Sequence, residues 1–281
     1  MRRFLLSFAA VLACVFFLLN NSPAQTASGQ VLVQAPVRHA EPPPAEASVD
    51  RLSERGDELR AEKFYLDARD YYEAALKKTA EEAGNDQAAL AKSQAAIYNR
   101  LGICDLLLEH WGDSKKEFER AIKADRTFAD AYNNLGVVEY ERKKYGGAIK
   151  QYRRALALKA DSASYYSNLG AAYFSKKEYE KAVAAYTQAL QLDPDVFERT
   201  SRNGVSAQIP SPADRARYDY VMAKLYAKAG VNDRSLEHLR KAMEEGYKEI
   251  NDVYKDKEFT ALRKDPRFEQ LMASRPQAIP E

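Results

Sequence analysis

Four side-chain amides and one guanidinium stand at a fixed spacing in the middle of this 281-residue chain. Asn99, Asn133 and Ser167 lie 34 residues apart, and so do Arg100, Asn134 and Asn168 in the adjacent column. Tyr140 and Phe174 keep the same interval. A carboxamide both donates and accepts hydrogen bonds, so a column of them can pair with the backbone of an extended peptide whatever its sequence. Asparagine also satisfies backbone groups of its own neighbourhood, and that use accounts for the column equally well. Neither use makes or breaks a covalent bond.

Other chemistry finds little support. The histidines, His39, His110 and His238, have no metal-ligand spacing and read as solvated side chains in a linker, in a turn between helices and on a late helix. No glycine-rich phosphate loop, nucleophile elbow or pair of catalytic carboxylates can be placed. The expectation is a protein that is not an enzyme and carries no cofactor or metal. Of two cysteines, Cys14 sits in an apolar leader and Cys104 lies between Ile103 and Leu106, where it reads as a buried filler. The net charge is +2, and Arg2 and Arg3 account for it. A chain so balanced lacks the strongly basic face that a phosphate backbone requires, so no nucleic-acid partner is expected.

What positions the amides is a repeat. Units beginning at Val49, Ala95, Ala129, Ala163 and, more loosely, Ala216 align residue by residue, and from 95 to 196 the period is an unbroken 34. The eighth position reads Gly56, Gly102, Gly136, Gly170 and Ala223; the twenty-seventh is alanine in every unit. The twenty-fourth is large throughout: Tyr72, Phe118, Tyr152, Tyr186 and Leu239. Small residues let two antiparallel helices approach, and the rings opposite fill the holes. A glycine inside a helix costs roughly 1 kcal/mol against alanine, so its recurrence calls for such a packing reason.

Residues 163–196 resemble the tetratricopeptide repeat almost throughout, with Tyr166, Leu169, Gly170, Tyr173, Ala182, Tyr186, Ala189 and Pro194 at the family's marked positions. Other units depart from it. Asp105 and Glu139 replace the aromatic at position 11, Arg55 replaces the leucine at position 7, and Arg126 and Ala160 replace the terminal proline. The resemblance implies an all-α fold, a right-handed superhelix of about five helix pairs with a helical C-terminal cap. It also implies that the first helix of each pair lines a concave groove. Asn99, Arg100, Asn133, Asn134, Tyr140, Ser167, Asn168 and Phe174 would then face a bound protein or peptide. The family's clamp for a terminal carboxylate, two lysines and an asparagine, is missing, with Ser53, Asn99, Asn133 and Ser167 at position 5.

The expected organisation is units at 49–82, 95–128, 129–162, 163–196 and 216–249. An insertion at 83–94 lengthens a helix pair, a loop occupies 197–215, and capping helices run over 250–275, where Asp265-Pro266 reads as a helix start. Before the units, Arg2 and Arg3, an apolar run from Phe4 to Leu19 and small residues near Ala24 predict a signal peptide over 1–24. Residues 25–48, with Pro42, Pro43 and Pro44, read as a disordered spacer. The sequence thus points to an exported, periplasmic or secreted adaptor, touching a membrane only if the leader is retained. Val11-Leu12-Ala13-Cys14 resembles a lipobox, which leaves open a lipid-anchored outer-membrane or pilus assembly factor. On this reading Asn134→Ala with Asn168→Ala would weaken partner capture and leave the melting temperature nearly unchanged.

Overall fold

A computed structural model of the protein describes residues 38–197 and 212–274. The chain divides into Met1–His39, of which only Arg38 and His39 are described, and Ala40–Glu281. The predicted signal peptide lies outside the described residues.

Within the second unit the chain forms five antiparallel helix pairs: α1 (Val49–Ala61) with α2 (Tyr65–Ala83), α3 (Gln87–Leu107) with α4 (Trp111–Ala124), α5 (Ala129–Glu141) with α6 (Tyr145–Leu158), α7 (Ala163–Ser175) with α8 (Tyr179–Leu192), and α9 (Pro212–Lys228) with α10 (Asn232–Glu244). Three short 3-10 turns and α11 (Pro266–Ser274) follow. The pairs close on the glycine positions. A Cβ on Gly102 would lie 2.6 Å from the Phe118 ring, and one on Gly136 would lie 2.6 Å from that of Tyr152. The rings of Tyr72, Phe118 and Tyr152 are wholly buried; burying each stabilises by roughly 1.5–3 kcal/mol. In the second and fifth pairs a serine ties the contact further, Ser114 Oγ donating to the Gly102 carbonyl at 2.8 Å and Ser235 Oγ to that of Ala223 at 2.7 Å.

Each first helix ends at position 15 in the left-handed region, at Lys63, Glu109, Lys143, Lys177 and Gly230. Around Lys143 the backbone N–H groups of Lys143 and Lys144 cross back to the carbonyls of Tyr140 and Glu139, at 2.7 and 2.8 Å. These bonds satisfy the last carbonyls and reverse the chain within three residues. Only the fifth unit uses the residue best suited to that conformation.

Stacking of pair on pair explains the departure at position 7. Leu101, Leu135, Leu169 and Met222 occupy it in the later units and are buried, whereas Arg55 is half-exposed and pairs with Glu58 at 2.7 Å. Among the described residues no helix pair precedes the first, and its outward face is charged. What precedes it is the end of the proline segment, and here the spacer reading is corrected. Ala40 N–H donates to Asp67 at 2.9 Å, Tyr71 Oη donates to the Glu41 carbonyl at 3.2 Å, and Ala40 and Ala47 pack on the first core cluster. Residues 40–47 are ordered against α1 and α2 because these few apolar and backbone groups meet an edge that would otherwise stay open. Ser48 then caps α1.

The insertion goes mostly into helix: α2 runs to Ala83 and α3 starts at Gln87, capped by Asp86, which accepts from Ala88 and Ala89 N–H at 3.0 Å. Of the loop read at 197–215, residues 212–215 belong to α9, and 198–211 lie outside the described residues. The stretch from Ile250 to Leu262 is not a continuous helix. Three 3-10 turns take its place, and Arg263 Nη1 ties them together by donating to the carbonyls of Val253 and Asp256, at 2.9 and 3.0 Å. They bury Val253, Phe259 and Leu262 against α9 and α10. Asp265 caps α11, accepting from Arg267 N–H at 3.0 Å. His238 also departs from the sequence reading: it is buried, its Nδ1 is 2.6 Å from Asp219, and its ring stacks on Tyr226.

Candidate functional site

The first helices α3, α5 and α7 lie side by side, and the amides that recur along the sequence meet across them. Asn168 Nδ2 donates to Asn133 Oδ1 at 3.0 Å, Asn133 Nδ2 to Asn134 Oδ1 at 3.1 Å, and Asn134 Nδ2 to Asn99 Oδ1 at 2.9 Å. Four residues from three consecutive units form one continuous polar chain. All four are buried, Asn134 to 1% exposure and Asn99 to 8%. Stacking of three first helices desolvates positions 5 and 6, and the amides satisfy one another because unpaired they would cost about 1–3 kcal/mol each.

This packing changes what the asparagines are. They are not a row of open hands, since each interior amide spends one donor and one acceptor on its neighbours and keeps one of each. It also overturns the expected behaviour of the double alanine variant. Removing Asn134 orphans both Asn99 and Asn133, so Asn134→Ala with Asn168→Ala lowers stability as well as changing the surface.

The other predicted residues separate into edge and core. Arg100 is half-buried at one end of the chain, its Nε 3.1 Å from Asp57 Oδ2. Asp57 also receives Arg60 Nη2 at 3.1 Å and the Tyr72 hydroxyl at 2.8 Å. Two guanidiniums and a phenol thus converge on one carboxylate between α1 and α3. Burial and the adjoining Asp57 raise the Tyr72 phenol well above its ordinary value, so it stays a donor. Ser167 is half-buried at the other end. Tyr140 is buried and its hydroxyl shares a 2.7 Å bond with Ser175 of the next unit; burial pushes its pKa up to about 12. Phe174, at 1% exposure, packs edge-on to Tyr179 and Tyr218 and belongs to the core between the fourth and fifth pairs.

Sequence reasoning missed Asp57 and Arg60. Their signal was present, since positions 9 and 12 of the first unit belong to the same face, but the irregular spacing of that unit hid their approach to Arg100. Among the described residues no group of three or more histidine, cysteine, aspartate or glutamate side chains could hold a metal ion. Cys104 is buried, and desolvation pushes its pKa up to about 12, which makes it a poor nucleophile.

Residues 163–196 match the family model of the tetratricopeptide repeat, and residues 138–177 match a second model described as a TPR repeat. No curated protein sequence matches the chain. Among solved structures it is similar to pilF of Pseudomonas aeruginosa, at 16% identity over 80% of this chain and 97% of that one, with a TM-score of 0.51. A thermophilic TPR protein of Thermus thermophilus is similar at 21% identity over 80% of this chain and all of that one, with a TM-score of 0.46. YrrB, a TPR protein with an unusual peptide-binding site, is similar at 18% identity over 73% of this chain and 89% of that one, with a TM-score of 0.42. At such identities the likeness is one of fold. With two family matches covering 138–196 and the same glycine-to-ring contact in the two units before them, the chain carries tetratricopeptide repeats, the array of a non-catalytic scaffold for binding protein.

Proposed function

We propose that this scaffold is an exported adaptor that holds an extended segment of a partner along the first-helix face of its second to fourth units. The observation that carries the reading is the amide chain from Asn99 to Asn168. Its internal bonds fix the amides in place before any ligand arrives, which lowers the ordering cost of binding. The interior amides are buried and act as the fixed floor of the face, and Arg100 and Ser167 at its two ends are the half-exposed side chains a partner would meet. Export is supported by the charged and apolar pattern of residues 1–24.

The test is site-specific photocross-linking in the native envelope, with the reactive residue at Ser167 or Arg100 and, as a control, at the exposed Leu158 on a second helix. The groove reading predicts one shared set of adducts from positions 100 and 167 that position 158 does not give. Equal capture from position 158 removes it. The mass of the mature N-terminus tests the compartment separately: a start at Gln25 supports soluble export, whereas an acylated Cys14 replaces it with the lipid-anchored form.

A further inference from the structure

The two departures at position 11 have partners, and the partners stand at one place in the repeat. Asp105 receives Arg69 Nη1, and Glu139 receives Lys115 Nζ at 3.1 Å. Arg69 and Lys115 are both position 21 of their units, and each acidic residue is position 11 of the unit that follows. The separation along the chain is 36 residues in one case and 24 in the other, because the insertion lies inside the first. The same spatial pairing therefore survives twelve added residues. At the third junction these positions hold Ile149 and Tyr173, both packed on the central core cluster; at the fourth they hold Val183, which is exposed, and Tyr226, which is buried.

We infer that positions 21 and 11 form a pairing code that separates two kinds of junction: cation to carboxylate at the first two, aliphatic to tyrosine at the third. The physical basis is the penalty for a mismatch. The Asp105 side chain is 1% exposed and that of Glu139 is 12% exposed, so placing either beneath Ile149 would bury a carboxylate with no cation. A sequence of similar units gains from this, since the first four all carry the same glycine and ring positions, which cannot tell one neighbour from another. The pairs supply the distinction that the shared packing lacks. Position 21 faces its partner from the second helix and position 11 from the next first helix, which are the elements brought together at each junction.

The experiment moves the apolar pair into an ionic junction of the full chain, as Arg69→Ile, Asp105→Tyr and both together, followed by hydrogen exchange of α1 to α4. Each single change is expected to speed exchange in α2 and α3 by about tenfold or more, and the double variant is expected to return within about threefold of the unaltered chain. Additive effects, with the double variant as fast as the product of the singles, overturn the code. If Arg69→Ile does not fold, the more exposed second junction answers the question. Lys115→Glu speeds exchange in α4 and α5, and Lys115→Glu with Glu139→Lys restores it. Failure of that reversal to restore protection overturns the inference equally.

Discussion

The first two junctions of this array and the third solve one geometric problem with opposite chemistry. At the third, Ile149 and Tyr173 add to a core that already contains Leu169, Ala171 and Ala185, and a poor fit there would cost only contact area. At the first, Arg69 reaches a carboxylate that is almost fully buried, and a neighbour with an apolar residue in that place would leave it without a cation. The difference teaches that the apolar junctions supply cohesion, whereas the ionic ones supply discrimination. Burial exacts something for this. Asp105 Oδ2 and Glu117 Oε2 are buried without a hydrogen-bond partner, and desolvation raises both carboxyls above their ordinary range although Arg69 and Arg120 oppose it. Arg69 itself holds its proton more tightly: burial works against this, but its bonds to Glu73 and Asp105 outweigh it. The carboxyl side governs the response to pH, since arginine stays charged under any working condition.

The sharpest way to break the comparison is to remove the cation. Arg69→Leu is expected to destabilise by about 3–5 kcal/mol, because Asp105 is left buried and unpaired, whereas Ile149→Ala at the apolar junction should cost about 1–2 kcal/mol. Urea unfolding of both variants checks the ratio, and equal losses would erase the distinction between the junctions. Next in size is the packing that all junctions share. Gly136→Ala forces a methyl into the Tyr152 ring and should cost about 1–3 kcal/mol, while Gly146→Ala, with nothing within 4 Å, should stabilise α6 by up to about 1 kcal/mol. Thermal melts that show the same sign for both would refute the knob-and-hole account.

A smaller effect concerns pH. The folded-state pKa values of Asp105 and Glu117 are raised, so their contribution is fully present below the ordinary carboxylate range and is lost as pH rises through the raised values. The groups facing them are Arg69 on α2, His110 and Asp113 at the start of α4, and Arg120 on α4. Glu117→Gln should therefore gain stability over the unaltered chain as pH rises from about 4 toward 7, in melts across that range. An offset that stays flat with pH would show that the two carboxyls do not report on this junction. Smallest is the turn. Lys143→Gly relieves a left-handed lysine and should stabilise by about 0.5–1 kcal/mol. The same change at the already glycine-bearing fifth turn is not available, which makes Gly230→Lys the mirror test.

Much of the fold was legible in the sequence because its information is local. The 34-residue period, the glycine and ring positions and the Asp265-Pro266 helix start each depend on residues within one helix pair. The candidate site was legible only as a column. Asn133, Asn134 and Asn168 were singled out by spacing, but spacing does not say whether an amide faces solvent or its neighbour. Phe174 was placed with them on the same grounds and belongs to the core, since α9 covers it. His238 carried no periodic signal at all, and its burial beside Asp219 depends on how α9 meets α10.

The sequence by itself determined that helix pairs form and that five of them stack. Helical periodicity and the alternation of small and large residues act between near neighbours, and a repeat multiplies them. Only the tertiary structure decided how the polar residues are spent: the asparagines on one another, Asp57 on two arginines, Asp105 on Arg69 and Glu139 on Lys115. Those that cross from one helix pair to the next join residues 24 to 43 positions apart, through distances and burial that no pattern along the chain records.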